Sequence, residues 1–414
     1  MANIDLLTLP TELVNKISED LSSNDLLALQ LACRQMRDIT SASFQAHFFY
    51  TRFIMLKKES LSNLITISHN PTLSRAMQAV KLYINHLIQP QHYISREGLF
   101  NLRINDEYDI IRRLNSYEDG WNDQVGFFQQ NLHMGLLVEA LSNLQNCRRV
   151  GLGDHVRPWG AFRLGSRIGT LPNRFVSNLL PNSLIHAMVS IRTLLYAIIK
   201  SRLPVEHISI EFRDSIAGCT YVIPKMLLLP RNLERAVSSQ LHTITTLRLM
   251  VNPTPRDNKF NCEMPPTDPT KFLTFLGLFT TISNLNLVFI NRDERYQFPE
   301  LSQLLLVPRL RTLHLGFLDY TISELTTLLE RHKATLQTVS LKSVSLISEG
   351  LDIVAFLQHK LSVEVLYLKG YFGEDTEHQT HITLPRSLYA ENPQELDKLV
   401  AELKHTQKKE DRIS

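Results

Sequence analysis

The residues that could do chemistry are scattered along this chain. Gly151-x-Gly153 begins like a dinucleotide-binding turn, but it lacks the third glycine and the following helix that a bound pyrophosphate needs. No G-K-[ST], H-E-x-x-H or G-x-S-x-G run occurs. The four cysteines, Cys33, Cys147, Cys219 and Cys262, form no C-x-x-C pair, so no zinc site or disulfide framework is expected and a reducing compartment fits. His207, His242 and His314 fall in or beside strand patterns, where ordinary polar surface is the default. No catalytic constellation, cofactor or metal follows from these spacings, and the chain reads as non-catalytic. The densest charge is cationic: from Arg148 to Arg174 six arginines, including Arg157, Arg163 and Arg167, stand against one aspartate. Five glycines within the nineteen residues from 151 to 169 mark the same stretch as a loop. Two readings stay open: an anion-recognising surface built from forked guanidinium groups, or a solvated loop folded onto its own domain.

The rest of the composition is ordinary. In 414 residues, 43% are hydrophobic and 21% charged, with a formal net charge of +3. That is ample for a sizeable core, and it points to two or three units or one elongated repeat structure. So small a net charge gives no reason to expect a nucleic-acid or membrane partner. The first residues lack the basic-then-apolar pattern of a signal peptide, and no run approaches ~18 consecutive apolar residues. The expected location is cytoplasmic and/or nuclear.

Leu9-Pro10-Thr11-Glu12 opens like a helix, with proline in the first turn and Glu12 complementing the dipole. Leu13, Ile17 and Leu21 recur at i, i+4 and i+8 as one apolar stripe. Ser22-Ser23-Asn24-Asp25 has the S-x-x-D spacing of a helix cap, and Leu26, Leu27, Leu29 and Leu31 follow. A third helical stretch runs from Arg34 towards Phe53. Three short helices cannot enclose a good core alone, so several of these leucines need a partner surface.

These residues, Leu9-Pro10-x-Glu12-Leu13, Ile17, Leu21, Asp25-Leu26, Leu29 and Ala32-Cys33-Arg34, resemble an F-box. Met36 stands where that family usually has tryptophan; methionine fills such a space flexibly with less buried area. The resemblance covers roughly residues 5–48. It implies docking onto a Skp-type linker, and through it cullin and RING subunits, by Leu9, Pro10, Leu13, Ile17, Leu21, Leu26, Leu29, Cys33 and Met36. The alternative is a helical cap on a larger domain.

A second pattern fills the C-terminal half. Leu241-x-x-Ile244-x-x-Leu247-x-Leu249 is followed by Ile282-x-x-Leu285-x-Leu287, Leu310-x-x-Leu313-x-Leu315, Leu336-x-x-Val339-x-Leu341 and Val363-x-x-Leu366-x-Leu368. Counting from Leu247, the steps are 38, 28, 26 and 27 residues, the last three being one leucine-rich repeat long. Helical patterns, such as Ile322 to Leu329 and Leu351 to Leu357, lie between the strands. Earlier strand candidates, Val80-x-Leu82-x-Ile84, Val150-x-Leu152 and Ile208-x-Ile210-x-Phe212, are 70 and 58 residues apart, too far for single repeats. The repeats resemble the irregular leucine-rich repeats behind fungal-type F-boxes; the alternative is a non-repetitive domain of βα units.

The expected fold is α/β: an α-helical F-box over 1–50, then a leucine-rich-repeat solenoid with a parallel inner sheet over 51–390. Loop insertions fall near 153–180 and at the proline-rich 252–270, and 391–414 forms a capping helix, through Leu396, Leu399, Val400 and Leu403, with a charged tail. Side-chain alternation sends the residue between each pair of strand leucines away from the core. Arg248, Asn286, His314, Ser340 and Tyr367 then share one row, with Met250, Val288, Gly316, Lys342 and Lys369 beyond it. That face, with Arg157, Arg163 and Arg167, is where a protein substrate of unknown identity is expected. The resemblance implies a substrate-recognition subunit of a cullin–RING ubiquitin ligase. A scaffold without degradation, or an anion or nucleic-acid binder using the arginines, stays open beside it.

Overall fold

The computed structural model describes residues 9–91, 107–154, 158, 160–168, 172, 181–212, 222–251, 270–289, 296–297, 299–342, 345–346, 365–369, 371–374, 381–383, 388–390, 395 and 398. It begins with four short helices, α1 (Thr11–Glu19), α2 (Ser23–Ala32), α3 (Arg34–Ile39) and α4 (Ser41–Phe49). Pro10 sits at the N-cap of α1, and the Ser22 side chain accepts the Asp25 N–H at 3.3 Å to start α2. Cys33 is extended between α2 and α3, and its Sγ accepts the Met36 N–H. Val14, Leu26 and Met36 are the buried apolar side chains here. Two buried hydroxyls satisfy themselves on their own helices, Ser18 donating to Val14 O at 2.6 Å and Thr40 to Met36 O at 2.7 Å.

The helical stretch expected to run on to Phe53 stops at Phe49, and β1 (Thr51–Met55) follows after one residue. The β-branched and aromatic run T-R-F-I-M suits a pleated half-buried surface, and Ile54 enters the main core. Then come α5 (Lys58–His69), α6 (Pro71–Ala76), β2 (Ala79–Tyr83), α7 (Glu107–Gln129), α8 (Leu132–Ser142) and β3 (Arg149–Gly153). Next are α9 (Ala161–Ile168), α10 (Pro181–Ser201), β4 (His207–Glu211), a 3₁₀ turn at Pro224–Leu227, α11 (Arg231–Gln240), β5 (Thr246–Val251), α12 (Thr270–Gly277) and β6 (Asn284–Phe289). The remainder is β7 (Tyr296–Gln297), α13 (Pro299–Leu304), β8 (Thr312–Gly316), β9 (Leu318–Tyr320), α14 (Ile322–His332), β10 (Thr338–Lys342), β11 (Ser345–Leu346), β12 (Val365–Lys369), β13 (Tyr371–Glu374), β14 (His381–Thr383) and β15 (Leu388–Ala390).

One ten-stranded sheet runs β1-β2-β3-β4-β5-β6-β8-β10-β12-β15. All its pairings from β1 to β12 are parallel, and only β15 joins antiparallel. Short strands β7, β9 and β11 build a second parallel sheet from the segments after β6, β8 and β10. The protein is thus α/β, with the strands in chain order and helices between them. The long steps before residue 240 are helical, holding α7 with α8 and α9 with α10. The helix expected at Leu351–Leu357, residues 252–269 and the expected C-terminal helix lie outside the described residues, apart from Glu395 and Lys398.

The core lies on one side of the sheet. Leu247, Leu249, Leu285, Leu287, Leu313, Leu315, Val339 and Leu341 are buried, as are Ile244, Ile282, Leu310 and Leu336 three residues ahead of each strand pair. Val80, Leu82, Val150, Leu152, Ile208 and Ile210 continue the same rows. The window Ser183–Ser201 of α10 is long and apolar enough to cross a membrane, but 67% of it is buried inside the protein. Here it serves as a core helix, with Ile191, Leu194, Leu195 and Ile198 in the main cluster.

His86, just beyond β2, ties this helix to the sheet: one ring nitrogen meets Ile84 O at 2.7 Å and the other meets Ser183 Oγ at 2.7 Å. Complete burial pushes its pKa down to about 4, below the roughly 6.5 of an exposed imidazole. Between those values the unfolded chain holds a proton that the folded chain does not, so stability falls as pH drops through this window and levels off below it. His133, His186, His207, His314 and His332 are lowered by burial too and act in the same direction. From pH 7.5 to 5.5 His86 alone should account for about 1 kcal/mol. Urea unfolding should show His86→Gln to be less stable at pH 7.5 yet to lose less on acidification than the parent chain; an unchanged pH slope would contradict this.

Candidate functional site

Two surfaces gather the candidate residues. The first is on the N-terminal helices. Leu13 (49% exposed), Ile17 (43%), Leu27 (40%) and Leu31 (85%) face solvent, with Cys33 exposed and Leu9, Leu21 and Leu29 half-buried. The stripe Leu13–Ile17 is therefore not the inward face of α1; Val14 and Ser18 are. Leu26 and Met36 are interior, so they hold these helices together rather than offering contacts. The expected interface set thus divides into exposed contact positions and buried supports.

The second surface is the face of the sheet turned away from the main core. Pairing places Phe53, Lys81, Gly151, Ser209, Arg248, Asn286, His314, Ser340, Tyr367 and Tyr389 in one continuous row. Arg248, Asn286, His314, Ser340 and Tyr367 are the sequence candidates, so the pleat aligns them as expected. Asn286 and His314 are half-buried, Ser340 is buried and Lys342, two residues on, is exposed. Lys81, Gly151 and Ser209 were not among the candidates, although they are the middle residues of the expected strands at Val80, Val150 and Ile208; Phe53 lies on β1, which the sequence pattern does not reveal.

The face is basic. Arg248 pairs with Glu211 at 2.7 Å, a carboxylate that is itself buried. Lys81, Arg149 and Lys342 occupy other positions on this side; Arg149 hydrogen-bonds the Tyr50 hydroxyl and lies over its ring. Burial and the neighbouring Arg248 hold His314 below the usual imidazole range, so it stays neutral at physiological pH. Lys342 lies 5.8 Å from the ring of Phe317, whose positive φ of 59° turns the chain after β8. Gly151 leaves no room for a side chain: an added Cβ would lie 2.5 Å from Ser209 Oγ and 3.1 Å from Ser209 O. Glycine there lets Ser209 lean across the row.

The arginine-rich stretch is not the free loop that its glycines suggest. Its residues 161–168 form α9, which buries Ala161, Leu164 and Ile168 with Met55, Leu87 and Tyr117 in a second apolar cluster. Met55 belongs to β1 on the side away from the main core, so α9 covers that end of the face. Gly165, counted among the loop glycines, is buried inside this helix. Arg167 bridges to Glu59 at 3.7 Å and to Asp123 at 3.5 Å, tying α9 to α5 and α7. Arg163 is exposed, and Arg157 lies outside the described residues.

Among the described residues no group of three or more His, Cys, Asp or Glu is placed to hold a metal ion. Comparison with protein-family models finds no match, and no curated protein matches the chain.

Arg167→Glu would set three carboxylates together where two ion pairs stand. Partial exposure limits the effect to about 1 kcal/mol, a fall of a few degrees in Tm. Arg163→Glu should leave Tm unchanged. Equal Tm values for both variants would show that the Arg167 bridges contribute nothing.

Proposed function

We propose that this chain is a non-catalytic substrate-recognition subunit of a cullin–RING ubiquitin ligase, binding a Skp-type linker through helices α1–α4 and a protein substrate through the open face of the sheet. One observation carries the proposal: Leu13, Ile17, Leu27 and Leu31 are exposed on helices whose own interior has room for three buried apolar side chains. Exposed apolar residues of this size on two successive helices suit a protein interface. Leu13 and Ile17 belong to the spacing that resembles an F-box, and Leu27 and Leu31 lie beside it on α2. The repeating strand–helix succession behind them supports the reading of residues 51–390 as a leucine-rich-repeat solenoid.

In this reading the subunit acts by proximity. It raises the local concentration of substrate lysines near the ubiquitin-charged enzyme without making or breaking a bond. The substrate surface is the row from Lys81 to Tyr367, and its cations favour an acidic segment of the substrate. Glu211 already neutralises part of Arg248, so the exposed Lys342 carries more of that preference.

The test is co-expression with a Skp-type linker followed by gel filtration. The two chains should elute together. Leu13→Asp with Ile17→Asp should weaken the complex at least a hundredfold and leave the main unfolding transition in place, since both positions are exposed. Met36→Ala should act differently, loosening the helices themselves. Undiminished linker binding by the double aspartate variant would overturn the proposal.

A further inference from the structure

The helix side of the sheet holds a cleft of about 860 Å³ between α7, α8, α10 and α11. Its size is that of a site for a small organic molecule, roughly 300–1,000 Å³. Three buried histidines line it: His86 stacks on His186 with ring centroids 4.6 Å apart, and Phe128 links His186 to His133 at 5.2 and 4.6 Å. His186 is 7% exposed, and its Nε2 is buried with no hydrogen-bond partner. A buried polar atom left unpaired is costly, so native proteins rarely keep one without a reason.

Charge gives the second indication. The lining includes Arg192, Lys200 and Arg202 and no aspartate or glutamate. Arg192 donates through Nε and one terminal nitrogen to Leu228 O, at 3.2 and 2.9 Å, which fixes the guanidinium and leaves other N–H groups of its five uncommitted by that bond. It lies six residues along α10 from His186, about 9 Å at 1.5 Å per residue. Burial keeps the histidines neutral, so their rings offer flat apolar surface and the cations beyond them offer the charge.

We propose that this cleft binds a small organic anion with an aromatic body. The rings pack against Phe128 and the exposed edge of His186, and the anionic group meets Arg192 and Lys200. The site lies among the helices, apart from the row proposed to meet the substrate, and does not depend on the ligase reading.

Two dyes test it on the full chain. Anilinonaphthalene sulfonate has the expected chemistry, and N-phenyl-1-naphthylamine is the same ring system without the sulfonate. The sulfonate should bind saturably at one site, at least tenfold more tightly than the neutral dye. Lys200→Glu with Arg202→Asn (asparagine tolerates the φ of +53° found at 202) should weaken the sulfonate at least fivefold and leave the neutral dye unchanged. Val189→Trp, projecting into the cleft from α10, should remove both; if that variant loses the parental Tm, Ala236→Phe closes the cleft from α11 instead. Equal affinity for the two dyes, non-saturable binding, or sulfonate binding that survives a folded cleft-filling variant would each overturn the proposal.

Discussion

The structure depends on one handover of hydrogen bonds, repeated ahead of seven strands of the main sheet, from β2 to β10. The N–H of Gln78 bonds to Tyr50 O, Arg148 to Gln78 O, Glu206 to Arg148 O, Thr245 to Glu206 O, Ser283 to Thr245 O, Arg311 to Ser283 O and Gln337 to Arg311 O. Each bond fixes the register of the next strand before its first leucine is placed. Because the side-chain period in a strand is two, a slip of one residue would turn every buried leucine to the open face. The connection between strands is free in length but not in destination. The 28- and 26-residue steps from β6 to β8 and from β8 to β10 each hold a short strand and a helix, while those of 70 and 58 hold two helices, one of them over twenty residues long, and still deliver the chain to the same register.

That register decides what the open face can be. Since leucines and isoleucines take the core positions, the alternate positions are left to whatever fits between neighbouring strands about 4.8 Å apart. Gly151 beside Ser209 and Gly153 beside Glu211 are the tightest of these. Next to them the buried Glu211 carboxylate holds Arg248 in place. The face is thus partly ordered by its own polar contacts, while α9 closes it over β1. The accessible part lies towards Asn286, His314 and Lys342.

The strands were legible because the sheet imposes the same arithmetic on every one: apolar, outward, apolar. The rows around Val80, Val150 and Ile208 obey it as fully as the later ones, so they could be found without a regular repeat length. β1 was not, since Phe53-Ile54 follows directly on helix α4 and reads as its continuation. Residues 161–168 look like loop because glycines and arginines crowd the stretch around them; the helical signal is in Ala161, Leu164 and Ile168, spaced three and four apart. The stripe Leu13, Ile17 and Leu21 was visible, but periodicity names a face without saying which side meets its own protein. Val14 and Ser18 took the interior. The histidine-lined cleft had no sequence signature at all, because His86, His133 and His186 are far apart in the chain and come from two different connections.

The N-terminal helices pose a different balance from the sheet. Their interior holds Val14, Leu26 and Met36, with Ser18 and Thr40 buried beside them on hydrogen bonds to their own helices. Such a core is small for four helices, and larger apolar side chains at 18 and 40 would enlarge it. What the chain places outward instead, at 13, 17, 27 and 31, is apolar material that contributes to stability only when something covers it. Under the proposed adaptor role the linker supplies that cover, and its binding adds RT ln(1 + [L]/Kd) to the stability of the helices it touches. Docking and ordering are then one equilibrium. The junction at Tyr50, one residue between α4 and β1 and bonded to Gln78 and Arg149, carries the geometry of that equilibrium into the first strand of the sheet.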